Sequence, residues 1–500
     1  MSTIITESTP ITASLESKTA LQRSVIEYLV LFSFFALVGY FVPDDETTLG
    51  VFSALPSLFL LAFIFYTKRI LEGLTLAALL AFIMADKTAF FGPLNETLTE
   101  VLTDGDTQWL FIVCGLMGSI IALIEKAGGA QAFGDWVAKR AKTRRSTLLW
   151  TWMLGVVIFI DDYLNSLTVG SCMAPITDKH GVSREKLAYI VDSTAAPVCV
   201  LIPISTWAVY IGSLLEQSNA VPEGEGMKMF IQTIPYNIYG WVAALIVPLV
   251  ILGLIPVFGP MKAAEKRAQE TGELAPPGSA KIDIKGGQQT EITAKPRILN
   301  FFLPIIILVA STIYFDIDMQ MGVLTTVGLT FVLYIFQGIM TPEEFFDCCV
   351  VGIKHMLFPL LMVILALTFA NVNEKIGFLT YVIETARTFM TPTMLPAVVF
   401  IVLGITEFIM GLSWGMYAIA IPIVIPLSIS IGANPLVAVG AVCSAGVFGS
   451  HICFYSDATI LSSAASGCDN YRHAVTQMPF GFLGATISLV GFIIIGMLGI

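Results

Sequence analysis

Apolar runs separated by short polar stretches recur from Tyr28 almost to Ile500, and most are long enough to form membrane-crossing helices. The pattern predicts ordinary spans at 27–43, 53–66, 71–90, 108–124, 187–214, 238–258, 298–314, 321–338, 352–371, 436–461 and 479–500. Two further stretches, 147–176 and 394–431, are interrupted by Gly, Pro and polar residues and read as re-entrant hairpins, which need protein or a watery cavity around them. The polar residues 1–26 are expected as a tail, with the first apolar run a retained helix rather than a cleaved signal. The segment 259–297, containing PPGSA and KGGQQT, reads as a flexible linker between a first membrane half, 27–258, and a second, 298–500.

Composition agrees. The chain is 56% hydrophobic and 13% charged, which excludes an ordinary soluble domain. Its 34 Phe, 41 Gly and 24 Pro suit packed, interrupted helices rather than a barrel of alternating strands. The fold expected is therefore an all-α polytopic membrane protein. Basic clusters (Lys139, Arg140, Lys142, Arg144 and Arg145; Lys179, Arg184 and Lys186; Lys262, Lys266 and Arg267) mark the cytoplasmic side. That places the tail and the linker in the cytoplasm, and both ends of 147–176 on that same face. Eight cysteines lack metal-ligand spacing and read as packed free thiols.

The halves resemble each other. Leu123-Ile-Glu-Lys-Ala-Gly128 recurs as Val372-Asn-Glu-Lys-Ile-Gly377 at an offset of 249. Pro175, Gly181, Ser193 and Ser205 recur as Pro426, Gly432, Ser444 and Ser456 at an offset of 251. Span counting makes 108–124 and 352–371 run in opposite directions, so the duplication is expected as an inverted-topology repeat with two re-entrant hairpins and two broken transmembrane helices. Glu343, Glu344 and Asp347, and the segment Val382 to Phe389, are the places where this count is most easily upset.

Polar residues inside these apolar stretches are the candidates for transport. Asp161 and Asp162 sit midway through the first hairpin, followed by the neutral oxygen donors Asn165, Ser166 and Thr168. A hairpin tip reaching water would also want acids for solvation or capping. Asp192, Ser193 and Thr194 precede Pro197 and Pro203, with Ser205 and Thr206 beyond; proline exposes carbonyls there, for a cation or merely for a kink. In the second half Glu407 and Ser413 lie in a Gly-rich hairpin, and Ser444, His451, Ser456, Asp457 and Thr459 follow. Asp457 is the expected counterpart of Asp192, although at the offset of 251 it matches Thr206. These interiors hold acids but no Lys or Arg, which favours cation handling; Lys354 and His355 read as interfacial. No nucleotide-binding loop or catalytic spacing is present, so an enzyme is not expected.

Phe159-Ile-Asp-Asp-Tyr-Leu-Asn165 with Thr168-Val-Gly170, Asp192-Ser-Thr-Ala-Ala-Pro197 with Pro203-Ile-Ser-Thr206, and Cys453-Phe-Tyr-Ser-Asp457 with Thr459 resemble the NhaC-type sodium/proton antiporter family of the ion-transporter superfamily. The resemblance implies a carrier with a scaffold part and a moving transport part in the cytoplasmic (inner) membrane. It implies exchange of sodium for protons, with sodium as the only cofactor-like ion and a homodimer as a compatible assembly. Asp192 and Asp457 are then the expected sodium ligands, with Asp161 or Asp162 beside them and Asn165, Ser193, Ser456 and Thr459 as neutral ligands. Thr168, Thr194, Ser205, Glu407, Ser413 and Ser444 complete the candidate set. The alternative is a sodium- or proton-coupled carrier of a small organic acid or amino acid. A channel or scaffold is a third class, disfavoured by the repeat.

Overall fold

The computed structural model describes residues 28–42, 49–67, 69–140, 142–159, 162–203, 205–218, 220–222, 224–276, 279, 296–315, 318–387, 390–411 and 413–499. Every regular element among them is a helix. The first half contains α1 (Tyr28–Phe41), α2 (Leu55–Thr67), α3 (Ile70–Asp86), α4 (Phe91–Thr103), α5 (Gly105–Lys126) and α6 (Gly129–Arg140). It continues with α7 (Arg144–Val157), α8 (Asp162–Lys179), α9 (Arg184–Thr194), α10 (Ala196–Cys199), α11 (Thr206–Gln217), α12 (Gly226–Thr233) and α13 (Ile238–Leu252). After α14 (Gly259–Thr271) come α15 (Leu299–Tyr314), α16 (Met319–Phe336), α17 (Pro342–Lys375) and α18 (Phe378–Arg387). The chain ends with α19 (Leu395–Met410), α20 (Ser413–Ser430), α21 (Pro435–Ile452), α22 (Asp457–Ser466) and α23 (Asn470–Leu498).

Among the described residues five helices are long and apolar enough to cross a membrane: Thr107–Lys126 within α5, and α16, α20, α21 and α23. Gly226–Tyr236 and Ile238–Leu252, bent by 53°, make a sixth if counted as one span. This is a multi-pass membrane protein. Several of the other predicted spans form shorter helices, and some are broken at proline and hydroxyl residues. The stretch 187–214 divides into α9, α10 and α11, with Pro197 in the first turn of α10 and Ser205 capping α11. The stretch 436–461 divides at residues 453–456 between α21 and α22.

Helix boundaries repeat along the chain. The starts of α7, α8, α9 and α11, at 144, 162, 184 and 206, are followed 251 residues later by those of α19, α20, α21 and α22, at 395, 413, 435 and 457. The small bonds repeat as well. Gly181 and Gly432 both have positive φ, and the amides of Val182 and Ala433 reach back to the carbonyls of Thr177 and Ser428. Ser205 Oγ donates to the Cys199 carbonyl and Ser456 Oγ to the Ser450 carbonyl, both at 2.8 Å.

The most extensive packing is α5 on α17 and α19 on α21, and α8 lies against α22. Helices α5 and α17 run antiparallel. Ser119, near the end of α5, donates to the Cys349 carbonyl near the start of α17, whereas Lys375 at the end of α17 reaches Thr97 in α4, just before α5. Pro342 and the Thr341–Glu344 capping box begin α17, so Glu343, Glu344 and Asp347 belong to the opening turns of one continuous 34-residue helix. The ambiguous segment from Val382 continues α18 as far as Arg387; 388–389 lie outside the described residues.

The expected flexible linker begins differently. Its first part is α14, whose Met261, Ala264, Glu265 and Ala268 are buried. Glu265 accepts from the Ser183 amide and hydroxyl at 3.1 and 2.8 Å, pairs with Lys186 at 3.1 Å and meets Arg144. Arg267 makes a two-pronged pair with Glu185 at 2.9 and 2.8 Å. These polar grips overcome the lack of a broad apolar stripe. Burial alone would raise the Glu265 carboxyl, but Lys186, Arg144 and the Ser183 donors outweigh it and hold the group below its ordinary value.

Candidate functional site

Where a helix breaks, its terminal backbone groups lose their helical partners, and short polar side chains such as Ser205 and Ser456 cap the helices that follow. Helices α8 and α22 pack closely enough that a Cβ on Gly170 would lie 2.5 Å from the Ala465 Cβ. Asp162 occupies the first turn of α8, and Asp457 the first turn of α22, where the positive end of each helix dipole favours a carboxylate. Asp161 lies outside the described residues.

Asp457 Oδ2 accepts from the Tyr163 hydroxyl at 2.5 Å, and its Oδ1 from the Ala458 amide at 2.8 Å. Trp414 Nε1 donates to the same Tyr163 oxygen at 3.1 Å. Glu407 is fully buried; its Oε1 accepts from Ser413 at 3.0 Å, while Oε2 has no hydrogen-bond partner among the described residues. Asp192, at the end of α9, accepts at Oδ2 from Gln477 Nε2 at 2.5 Å, with His473 Nε2 at 3.7 Å. Helix α22 packs on α9, and its Thr459 and Ser462 hydroxyls lie near the Asp192 carboxylate. Asp192 therefore stands between elements of both halves. One carboxylate with several hydroxyl oxygens is the hard-oxygen chemistry that suits a small alkali cation.

Several of the other candidate side chains bond to backbone carbonyls or amides at helix ends. Asn165 Nδ2 is shared by the carbonyls of Gly155, Ile158 and Thr194 at 2.5, 2.7 and 2.8 Å, lacing the first hairpin to the end of α9. The Tyr455 hydroxyl does the corresponding work in the second half, donating to the Ile409 carbonyl near the end of α19. Ser205 and Ser456 are helix caps. Thr194 bonds back to the Ile190 and Val191 carbonyls, and Ser444 bonds to Asn237. Ser193 Oγ and His451 Nε2 are 2.9 Å apart, with the Tyr239 hydroxyl 2.8 Å from the other ring nitrogen. Thr168 lines a small cavity of about 20 Å³ with Ser171, Cys172, Glu125 and aliphatic residues of α5 and α15.

The expected pairing of Asp192 with Asp457 as repeat counterparts is corrected. Ser456 and Asp457 open α22 as Ser205 and Thr206 open α11, so the structural counterpart of Asp457 is Thr206. Asp192 precedes its break and Asp457 follows one. Sequence reasoning also missed Tyr163, Trp414, Ser462, His473 and Gln477. Asn470, His473 and Gln477 recur at helical spacing on one face of the apolar α23, which is the signal that was available.

Residues 198–497 match the sequence model of the Na+/H+ antiporter family, a region that contains Glu407, Asp457 and Gln477. The chain is also similar to a Haemophilus influenzae protein described as "Uncharacterized protein", with 27% identity over 490 residues covering 89% of this chain and 91% of the relative.

Proposed function

Because the chain belongs to the Na+/H+ antiporter family, we propose that it exchanges sodium ions for protons across the cytoplasmic membrane by alternating exposure of the buried acid cluster. It is a transporter and not an enzyme. The observation that carries the reading is the state of three acids: Asp192, Asp457 and Glu407 are 1%, 7% and 0% exposed, and none has a Lys or Arg partner among the described residues. A carboxylate sealed this way is tolerable with a proton on it or a cation against it, and much less so bare. Competition of two ions for the same oxygens is antiport.

Asp192 with the Thr459 and Ser462 hydroxyls forms the core of the proposed sodium site, and Asp457 and Glu407 extend the acid set. The matching helix boundaries and the antiparallel α5 and α17 support an inverted repeat in which 147–176 and 394–431 are opposed re-entrant hairpins. Coupled carriage of a small carboxylate or amino acid has less support, because the Asn165 amide that would recognise such a solute is already committed to three carbonyls.

The test is sodium-driven proton flux in proteoliposomes containing purified protein without organic solute. Asp192→Asn and Asp457→Asn are each expected to reduce the flux at least about tenfold, since each removes a charge that either ion must neutralise. Undiminished flux in both variants would overturn the assignment. A flux appearing only when a carboxylate or amino acid is added would move the protein to the second reading.

A further inference from the structure

We propose that Gln477 is the positioning residue that orients the Asp192 carboxylate for cation binding; the inference rests on the reading of Asp192 given above. The hydrogens available around Asp192 assign the roles. Gln477 is fully buried on α23. Its Nε2 carries two hydrogens, one directed to Asp192 Oδ2 at 2.5 Å and the other to the His451 carbonyl. Its Oε1 lies 2.9 Å from His473 Nε2, so the amide is held from both ends. The two hydroxyls near Asp192 have spent their hydrogens elsewhere. Thr459 donates to the Ser450 carbonyl at 3.2 Å, and Ser462 donates to the Ala458 carbonyl. Those oxygens present lone pairs beside Asp192, suited to a cation but unable to steer the carboxylate. Gln477 supplies the donor that does.

The second bond gives this a wider meaning. His451 lies in the last turn of α21, whose terminal carbonyls lose their helical partners at the 453–456 break. Gln477 therefore satisfies an orphan carbonyl of the second half with one hydrogen and holds the acid of the first half with the other. Its amide ties Asp192 to the end of α21, next to the helix α22 whose Thr459 and Ser462 hydroxyls complete the proposed cation site. A group that sets ligand geometry in this way contributes to binding the ion and little to the subsequent movement.

The discriminating substitution is Gln477→Met, which keeps length and volume and removes every hydrogen bond. In proteoliposomes, the sodium concentration giving half-maximal proton flux is expected to rise about tenfold, with the maximal rate within about twofold of the parent. Adding Gln477→Met to Asp192→Asn is expected to cause no further loss in sodium-induced thermal stabilisation of the detergent-purified protein. Gln477→Asn, which retracts the amide by one methylene, should show the same rise in half-saturation, and it serves if the Met variant is not monodisperse. An unchanged sodium midpoint in the folded variant, or an equal additional loss in the Asp192→Asn background, overturns the role of Gln477. Undiminished flux in Asp192→Asn alone instead overturns the reading on which it rests.

Discussion

At the scale of single residues, Asn165 shows how one amide nitrogen can tie several helix ends together. Its Nδ2 serves three carbonyls, two at the end of the first hairpin helix and one at the end of α9. Asn165→Ala removes these bonds and should cost about 3 kcal/mol, seen as a lower melting temperature of the detergent-purified protein. Asn165→Asp is nearly isosteric yet aims an acceptor at three acceptors, so it should melt lower than the alanine variant. An Asn165→Asp variant that melts at or above the alanine variant would overturn this donor role. The sequence marked Asn165 as important through its cost in an apolar stretch, and the same argument found Asp192, Asp457 and Glu407. It assigned Asn165 to ion or solute binding because spacing does not tell which way an amide faces. Gln477 escaped notice for a related reason: one polar residue in a strongly apolar helix acquires its meaning from Asp192, 285 positions earlier in the chain.

Among the elements, α14 is the one whose behaviour the sequence misjudged most. A run of Lys, Glu, Arg and Gln with few large apolar residues lacks the stripe that normally docks a helix. It docks through Glu265 and Arg267, onto Ser183, Glu185 and Lys186 around the turn joining α8 to α9 and onto Arg144 at the start of α7. Because Glu265 is held below its ordinary value, its contribution to docking is complete above that ordinary value and is lost as pH falls through the lowered folded one. Amide hydrogen exchange across 259–271 should therefore accelerate as pH is lowered below about 4.5, after correction for intrinsic rates. Glu265→Ala should produce the same loosening at neutral pH, because it leaves Lys186 buried without its partner, at a cost of about 3 kcal/mol. Protection in that variant equal to the parent would show that α14 is held by its apolar contacts alone.

For the molecule as a whole, the crossing of α5 and α17 sets how closely the two halves approach. Gly118 and Gly352 meet there; a Cβ on Gly118 would stand 2.5 Å from the Gly352 carbonyl oxygen and 2.6 Å from Met356 Cγ. Gly118→Ala must push the helices apart and should destabilise by about 2 kcal/mol, with sodium half-saturation little changed, as measured by thermal melting and flux together. The sequence by itself determined that the chain is helical and membrane-embedded, that short motifs recur near offsets of 249 and 251, and that carboxylates stand inside its apolar stretches. Hydropathy, local helix punctuation and the high cost of burying a carboxylate are properties of short segments, and a linear reading captures them. Only the tertiary structure decided that Gln477 and Tyr163 are the donors to the two aspartates, and that the Asn165 amide and the Ser205 hydroxyl bond to backbone carbonyls at helix ends. Those facts concern which hydrogen each group gives and to whom, and such pairings between distant helices exist only once the helices have packed.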